Sequence, residues 1–213
     1  GHGKTESPKD VARYSMIEQV KDLEEIFEQL ELQYFTLLGY SMGGRVALSY
    51  AVRFPKRIKK LILESSSPGL QSEQEQANRR KADEYLANEI EQQGIEAFVN
   101  KWENIPLFSS QKNLPLHVRD EVRKERLSQH PMGLANSLRG MGTGAQQSVW
   151  KKLIRLSFPV ILITGELDEK FNNIAKQMQI QLQDSKHIVV PGVGHSIHVE
   201  NPEQFAKIVK EVL

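Results

Sequence analysis

The feature that most constrains the fold is a short apolar segment that turns through a serine into a helical pattern. Residues 34–38 predict a buried strand, and residues 43–52 predict a helix whose small side chains allow close packing. Ser41 lies between them in a Gly-x-Ser-x-Gly pattern, and we expect Gly39 and Gly43 to be required because side chains there would collide. The turn therefore predicts a strained serine whose hydroxyl projects at the start of a helix.

The strand before Ser41 and the helix after it give this serine a chemical context. The helix N-terminus and the backbone amide of Met42 can stabilise negative charge that develops beside the hydroxyl. A glycine-serine turn without chemistry is the alternative, and a bare Gly-x-Ser-x-Gly pattern does not decide between the two. The flanking strand and helix are the context that the catalytic motif requires, so they favour chemistry at Ser41.

The amino-acid composition limits which cellular compartment and which partners we expect for this protein. The 213 residues suffice for one domain with a sizeable insertion, and 28 Lys and Arg residues nearly balance 27 Asp and Glu residues. This balance predicts no nucleic-acid partner, and no apolar run approaches the ~20 residues that cross a bilayer, so we expect no stable membrane insertion. The lack of cysteine excludes disulfides and thiolate metal sites. We therefore expect a soluble, cytoplasmic protein, with the oligomeric state left open between a monomer and a weak homodimer.

Helices and strands alternate around the serine turn. Ser15 and Glu18 form a capping-box pattern, and the apolar residues that follow at helical spacing predict an amphipathic helix to Leu30. Residues 60–64 predict the next core strand after the Ser41 helix. Alternation of this kind predicts an α/β fold with a mostly parallel sheet covered by helices on both faces.

The character of the sequence changes between residues 71 and 150. This stretch has almost no strand pattern, and it predicts helices over residues 73–91, 95–102 and 118–127. Gly94, Pro106, Pro115 and Pro131 are predicted to interrupt them. A segment of this length is too long for a loop, so we expect a helical cap or lid at 71–150, inserted into a core formed by residues 1–70 and 151–213.

Two further polar residues follow predicted strands. Residues 159–165 and 187–190 predict strands, and Asp168 and His195 come shortly after them. Parallel sheets place their functional sites at the carboxyl ends of the strands, where Ser41 also lies. A helix cap is the alternative for Asp168, and a turn residue is the alternative for His195.

The chain order Ser41, Asp168, His195 matches a nucleophile, an acid and a base. A serine hydroxyl alone is a poor nucleophile or base, so an imidazole must take its proton and a carboxylate must orient that imidazole. All three residues follow strands, and they occur in the order found in hydrolases with a serine turn. Together these observations favour a catalytic triad.

Several longer motifs extend this pattern over the whole chain. They resemble the α/β-hydrolase superfamily and, within it, the 2-succinyl-6-hydroxy-2,4-cyclohexadiene-1-carboxylate synthase family of menaquinone biosynthesis. The Ser-Pro-Gly and Leu-Arg-x-Met-Gly-Thr-Gly motifs are the most specific of these. The motifs are Gly39-Tyr40-Ser41-Met42-Gly43-Gly44-Arg45, Glu64-Ser65-Ser66-Ser67-Pro68-Gly69-Leu70, Asn100-Lys101-Trp102-Glu103-x-x-Pro106-Leu107-Phe108, Arg126-Leu127-Ser128-Gln129, Ser137-Leu138-Arg139-x-Met141-Gly142-Thr143-Gly144 and Gly194-His195-x-x-His198-x-Glu200.

The resemblance implies a lyase that eliminates pyruvate from a small polycarboxylate, without a cofactor or metal. It implies that Ser41 abstracts a proton next to a ketone, that His195 receives the serine proton and that Asp168 orients His195. A polycarboxylate calls for arginine forks. Arg45, which follows the serine turn, is one candidate. The resemblance assigns the same role to Arg79 and Arg126, with Arg80 an equally plausible register for Arg79. A solvated helix face is the alternative for each arginine. Tyr40 and Trp102 are candidates for apolar walls of the pocket, and packing in the core is the alternative for both. We expect His198 to have a structural role.

One departure and two alternatives accompany this resemblance. The family has strands before the first residue of this sequence, with a His-Gly loop that supplies a second oxyanion amide. Gly1-His2-Gly3 resembles the turn after such a strand, so we expect the sequence to be N-terminally incomplete. A serine esterase or carbon-carbon bond hydrolase would carry the same triad. A non-catalytic ligand-binding protein of this fold is the other alternative.

Overall fold

A single parallel sheet positions the strand ends that the sequence singles out. The structure is a computed structural model that describes residues Gly1–Leu213. The strands lie in the spatial order β1-β2-β3-β4, and each neighbouring pair is parallel. All four carboxyl ends therefore meet at one edge. The strands are β1 (Phe35–Tyr40), β2 (Ile58–Glu64), β3 (Val160–Gly165) and β4 (Ser185–Val190).

Eight α-helices accompany the sheet, and short 3-10 helices connect several of them. The 3-10 helices span Val11–Tyr14, Pro55–Arg57, Pro106–Asn113 and Trp150–Arg155. The α-helices are α1 (Met16–Gln29), α2 (Ser41–Arg53), α3 (Glu73–Trp102), α4 (Leu116–Leu127), α5 (Pro131–Met141), α6 (Glu169–Gln181), α7 (Ile197–Glu200) and α8 (Pro202–Val212).

The two middle strands are the most buried part of the sheet. Every residue of β3 is buried, as expected for a strand in a sheet covered on both faces. Ile62 of β2 and Ile163 of β3 are fully buried and pack with residues from β4, α7 and α8. This cluster gives the carboxyl edge of the sheet a rigid base. Its other buried members are Ile161, Val190, Val193, Ile197 and Ile208.

The parallel α/β prediction is confirmed. Among residues 1–213, β1 pairs with β2 and Leu38 is 40% exposed, so the predicted burial of this strand does not hold for Leu38. The capping box at Ser15 forms only in part. The Glu18 amide donates to the Ser15 hydroxyl at 3.3 Å, while the Glu18 carboxylate pairs with Arg13 and Lys21 instead.

The chain divides into two compact units. The sheet unit comprises Leu23–Pro68, Leu107–Leu114 and Val149–Leu213. The helical unit comprises Gly1–Asp22, Gly69–Pro106 and Pro115–Ser148. The role of residues 71–150 as a cap stays a prediction.

The helical unit contains one correction to the sequence analysis. The break predicted at Gly94 is confirmed. Gly94 interrupts α3 with a φ of 81°, a left-handed conformation that glycine tolerates. Pro131 was predicted to break the helical pattern, and no helix runs through it, but it also begins α5, which was not predicted. Proline is well suited to the first helical position because its missing N–H would have no partner there.

Candidate active site

Ser41 sits in a sharp turn between β1 and α2. It is the first residue of α2 and has a φ of 46°, which is strained for a residue with a side chain. A side chain at Gly39 would place its Cβ 2.6 Å from the Gly43 carbonyl oxygen. The Ser66 hydroxyl donates to the Ser41 carbonyl at 3.1 Å. The turn is therefore closely packed from two sides, which holds the strained serine in place.

The glycine that allows close packing on the helical side is Gly44, not Gly43. No atom lies within 4 Å of the position that a Gly43 side chain would occupy, so the predicted collision is wrong. A Cβ on Gly44 would lie 2.6 Å from the Cβ of Ser66. The last glycine of the pattern is thus not sterically required, whereas its neighbour lets α2 approach the end of β2.

Ser41, His195 and Asp168 form a continuous chain of hydrogen bonds. His195 Nδ1 lies 2.6 Å from Asp168 Oδ2, and His195 Nε2 lies 2.9 Å from Ser41 Oγ. Because a carboxylate only accepts, Nδ1 carries the ring proton, and Nε2 of the neutral ring accepts from the serine hydroxyl. This arrangement prepares His195 to take the Ser41 proton.

Asp168 uses its two carboxylate oxygens for different tasks. Oδ1 accepts a hydrogen bond from the Phe171 amide at 3.2 Å and caps the N-terminus of α6. Oδ2 faces His195. Asp168 therefore caps α6 with one oxygen and contacts the His195 ring with the other, so the cap also fixes the carboxylate beside His195.

Aromatic rings surround the His195 imidazole. The ring centroids of Phe171, Tyr40 and Phe108 lie 4.6, 5.4 and 6.0 Å from its centroid. His195 is 1% exposed and Asp168 is 6% exposed. The pair is shielded from water, so the electrostatic interaction between the carboxylate and the imidazole is stronger than it would be at the surface.

Two glutamates that the sequence analysis did not select hold the segment that carries His195. Glu200 accepts from the amides on either side of the histidine, Gly194 at 2.7 Å and Ser196 at 3.3 Å. Glu64 is 1% exposed and lies 2.9 Å from His198 Nδ1, while the His198 amide donates to it at 3.1 Å. Glu64 could have been found from the sequence because it ends a predicted strand, and the same kind of position singled out Asp168.

The remaining predicted residues of the sheet unit lie next to Ser41. Met42 is the second residue of α2, and Arg45, on the same helix, is 8% exposed. The Tyr40 hydroxyl lies 2.5 Å from Ser196 Oγ, and its ring meets the His198 ring with 4.6 Å between centroids. The turn thus brings Tyr40, Met42 and Arg45 to the same end of α2.

Arg79, Arg80, Trp102 and Arg126 belong to the helical unit. Arg79 Nε donates to the buried carboxylate of Asp83 at 2.6 Å, and Arg80 Nη1 donates to the Gly144 carbonyl at 3.0 Å. Trp102 ends α3 and stacks on Phe98, with 5.3 Å between ring centroids. Arg126 is half-buried in the last turn of α4. Their roles toward a substrate stay predictions.

No group of three or more His, Cys, Asp or Glu residues is arranged to hold a metal ion. None of the helices combines the length and apolar character needed to span a bilayer.

A serine turn between a strand and a helix, with an acid and a histidine at the ends of later parallel strands, defines the α/β-hydrolase fold. A family model described as the α/β-hydrolase fold matches residues 1–202. The chain therefore belongs to the α/β-hydrolase family.

Relatives narrow the family further. A Bacillus subtilis protein provisionally named 2-succinyl-6-hydroxy-2,4-cyclohexadiene-1-carboxylate synthase is 49% identical over the whole chain, which covers 78% of that relative. The synthase of that name from Photorhabdus laumondii is 32% identical over the whole chain, which covers 73% of it. The solved structure of MenH from S. aureus matches 99% of this chain and 79% of its own, with 40% identity and a TM-score of 0.95. The chain belongs to the 2-succinyl-6-hydroxy-2,4-cyclohexadiene-1-carboxylate synthase family.

Proposed function

We propose that this enzyme eliminates pyruvate from 2-succinyl-5-enolpyruvyl-6-hydroxy-3-cyclohexene-1-carboxylate in menaquinone biosynthesis. The product is 2-succinyl-6-hydroxy-2,4-cyclohexadiene-1-carboxylate, after which the relatives at 49% and 32% identity are named. The observation that carries the proposal is the hydrogen-bonded chain of Ser41, His195 and Asp168. We also propose that the enzyme acts in the cytoplasm.

The elimination is a transfer of one proton and a shift of electron pairs. Ser41 Oγ takes the ring proton next to the succinyl ketone while its own proton passes to His195 Nε2. The electron pair of the broken C–H bond forms a new ring double bond, the existing double bond moves by one position, and the bond to the enolpyruvyl oxygen breaks. His195 returns a proton to the departing enolate, which becomes pyruvate. No water is consumed, and no cofactor is needed.

The same groups that serve ester hydrolysis suit this reaction. Proton removal next to a ketone places negative charge on the ketone oxygen, which backbone amides can stabilise as they stabilise a tetrahedral oxyanion. The amide of Met42, in the first turn of α2, is our candidate donor. Its position beside Ser41 supports the assignment, since the base and the charge acceptor must face the same ketone.

The substrate carboxylates call for arginine partners, and we assign Arg45, Arg79 and Arg126 to them. Arg79 and Arg80 are alternatives for one of these positions, and their contacts favour Arg79 as the carboxylate ligand. Arg79 uses Nε for Asp83, which orients the guanidinium and leaves both terminal nitrogens for a bidentate ligand. Arg80 directs a terminal nitrogen to the Gly144 carbonyl instead. Tyr40 and Trp102 are proposed as apolar walls for the ring.

The experiment that tests this function supplies the enolpyruvyl cyclohexene substrate to the purified protein and follows two products together. Absorbance of the conjugated diene and release of pyruvate are expected to rise in equal amounts, well above the spontaneous rate. A p-nitrophenyl ester is tested in parallel. No rise in diene from folded protein, together with rapid ester turnover, would replace this proposal with the esterase alternative.

A further inference from the structure

Beside the pair formed by Ser41 and His195, a second hydrogen bond joins their neighbours in the chain. Tyr40 precedes Ser41 and Ser196 follows His195, and their hydroxyl oxygens lie 2.5 Å apart. Ser196 is 3% exposed, so water does not compete for this bond. The bond ties the end of β1 to the histidine turn at the point where the proton must be transferred.

A third residue fixes the Ser196 side chain from the opposite direction. Gln111 Nε2 donates to Ser196 Oγ at 3.0 Å, and Gln111 is 8% exposed. An amide nitrogen can only donate, so Ser196 accepts this bond and keeps its own proton and a second lone pair for Tyr40. With partners on two sides, the Ser196 hydroxyl has one orientation that satisfies both.

The segment around Gln111 meets the histidine turn at two further points. The Phe108 ring packs edge-on against His195, with 6.0 Å between centroids. A side chain on Gly194 would collide with the Ser110 hydroxyl. Three consecutive residues of the turn, from Gly194 to Ser196, are therefore each contacted by the 3-10 helix Pro106–Asn113.

We infer that Ser196 and Gln111 are positioning residues that hold His195 at proton-transfer distance from Ser41. They act through Tyr40 and the backbone of the histidine turn. A displacement of about 1 Å in a reacting group can lower a rate by about 100-fold, so a loose turn would slow the chemistry without weakening substrate binding. This inference rests on the proposed function, because the base it positions is the one assigned there.

The test measures kcat, KM and Tm for Ser196→Ala, Gln111→Leu and the double variant in the diene assay. Each single change is expected to lower kcat by about 10-fold with KM and Tm near those of the wild type, as loss of positioning predicts. Since Gln111 acts through Ser196, the double variant should be no slower than Ser196→Ala alone. Ser196→Thr keeps the hydroxyl and should restore kcat. Gln183→Leu is the matched control, because Gln183 also donates through its side chain but to the Ile154 carbonyl.

The inference is overturned if Ser196→Ala keeps the wild-type kcat, if the loss appears only in KM, or if the double variant shows the product of the two single losses. Should Ser196→Ala fail to fold, Gln111→Leu and Ser196→Thr decide the matter through the same kcat comparison. A Ser41→Ala variant in the same assay separates the two proposals. If Ser41→Ala retains activity, the proposed base is wrong. If Ser41→Ala loses activity while Ser196→Ala keeps the wild-type kcat, only the positioning role is wrong.

Discussion

The Nε2 atom of His195 lies 2.9 Å from the Oγ atom of Ser41, within the range of a hydrogen bond. Ser41 is fixed by a strained turn at the end of β1. His195 is held by Asp168 at its ring and by Glu200, which accepts from the amides of the neighbouring Gly194 and Ser196. The contact therefore joins two separately supported groups, which is the arrangement that proton transfer requires.

Asp168→Asn should separate the orienting role of this carboxylate from its role as a helix cap. Asparagine caps helices well, so the bond from the Phe171 amide and the Tm should be retained. The amide cannot hold the imidazole in the same tautomer, and kcat should fall by about 10⁴-fold. The two values are measured by the diene assay and by thermal unfolding. A kcat within about 10-fold of the wild type would contradict the orienting role, which is expected to contribute far more.

Gly44→Ala and Gly43→Ala should have opposite effects on stability. A Cβ at Gly44 meets Ser66 at 2.6 Å, so alanine there should lower the free energy of unfolding by about 1–3 kcal/mol. A Cβ at Gly43 meets nothing, and alanine there should raise this free energy by up to about 1 kcal/mol, because it suits a helix better than glycine. Urea unfolding of both variants checks the prediction. A destabilised Gly43→Ala would contradict it.

The stability of the sheet unit should fall in acid partly through Glu24. Burial opposes ionisation of this carboxyl, but hydrogen bonds from Tyr50 and Arg57 outweigh burial and lower its pKa. The unfolded chain therefore binds a proton at higher pH than the folded one, and this stabilisation is lost as the pH falls below about 4.5.

Urea unfolding between pH 7 and pH 3 measures this dependence. Glu24→Gln should show a smaller loss of stability across the acid range than the wild type. Glu25→Gln, an exposed position on the same helix, is the matched control. If Glu24→Gln and the wild type lose stability equally in acid, the contacts of Glu24 with Tyr50 and Arg57 do not cause the pH dependence.

Arg79 and Arg80 should differ in their effect on substrate binding. Asp83 binds Nε of the Arg79 guanidinium, which leaves the two terminal nitrogens of Arg79 for a substrate carboxylate. Because a charge-assisted pair would be lost, Arg79→Ala should raise KM by about 10- to 100-fold. Arg80→Ala removes a bond to a backbone carbonyl and should leave KM nearly unchanged. Steady-state kinetics of both variants, with Tm as the check on folding, decide which register is correct. The reverse order of effects would assign the substrate to Arg80.

Local patterns were enough to predict the strands and the three residues that the structure brings together. Ser41, Asp168 and His195 each follow a strand in the sequence, and parallel strands necessarily carry such residues to one edge. The helix that begins at Pro131 was missed because proline was treated only as a break, although the same residue favours the first turn of a helix.

The contacts that support His195 were not predictable from the sequence. Gln111 and Ser196 are 85 positions apart, and Glu64 and His198 are 134 positions apart. Nothing in a single sequence pairs residues at such separations, since the pairing depends on the packing of the whole unit. The predicted substrate roles of Arg79, Trp102 and Arg126 rest on resemblance, whereas that of Arg45 also rests on its place beside Ser41. All four stay predictions.

The measurement that tests the central claim most directly is single-turnover elimination by Ser41→Ala and His195→Ala beside the wild type. Both variants are expected to fold, bind the substrate and lose at least about 1,000-fold in the rate of diene and pyruvate formation, because neither retains the complete base. Ser49→Ala, which removes a hydroxyl bonded within α2, is the control and should react at the wild-type rate. Elimination at the wild-type rate in folded Ser41→Ala or His195→Ala would contradict the account.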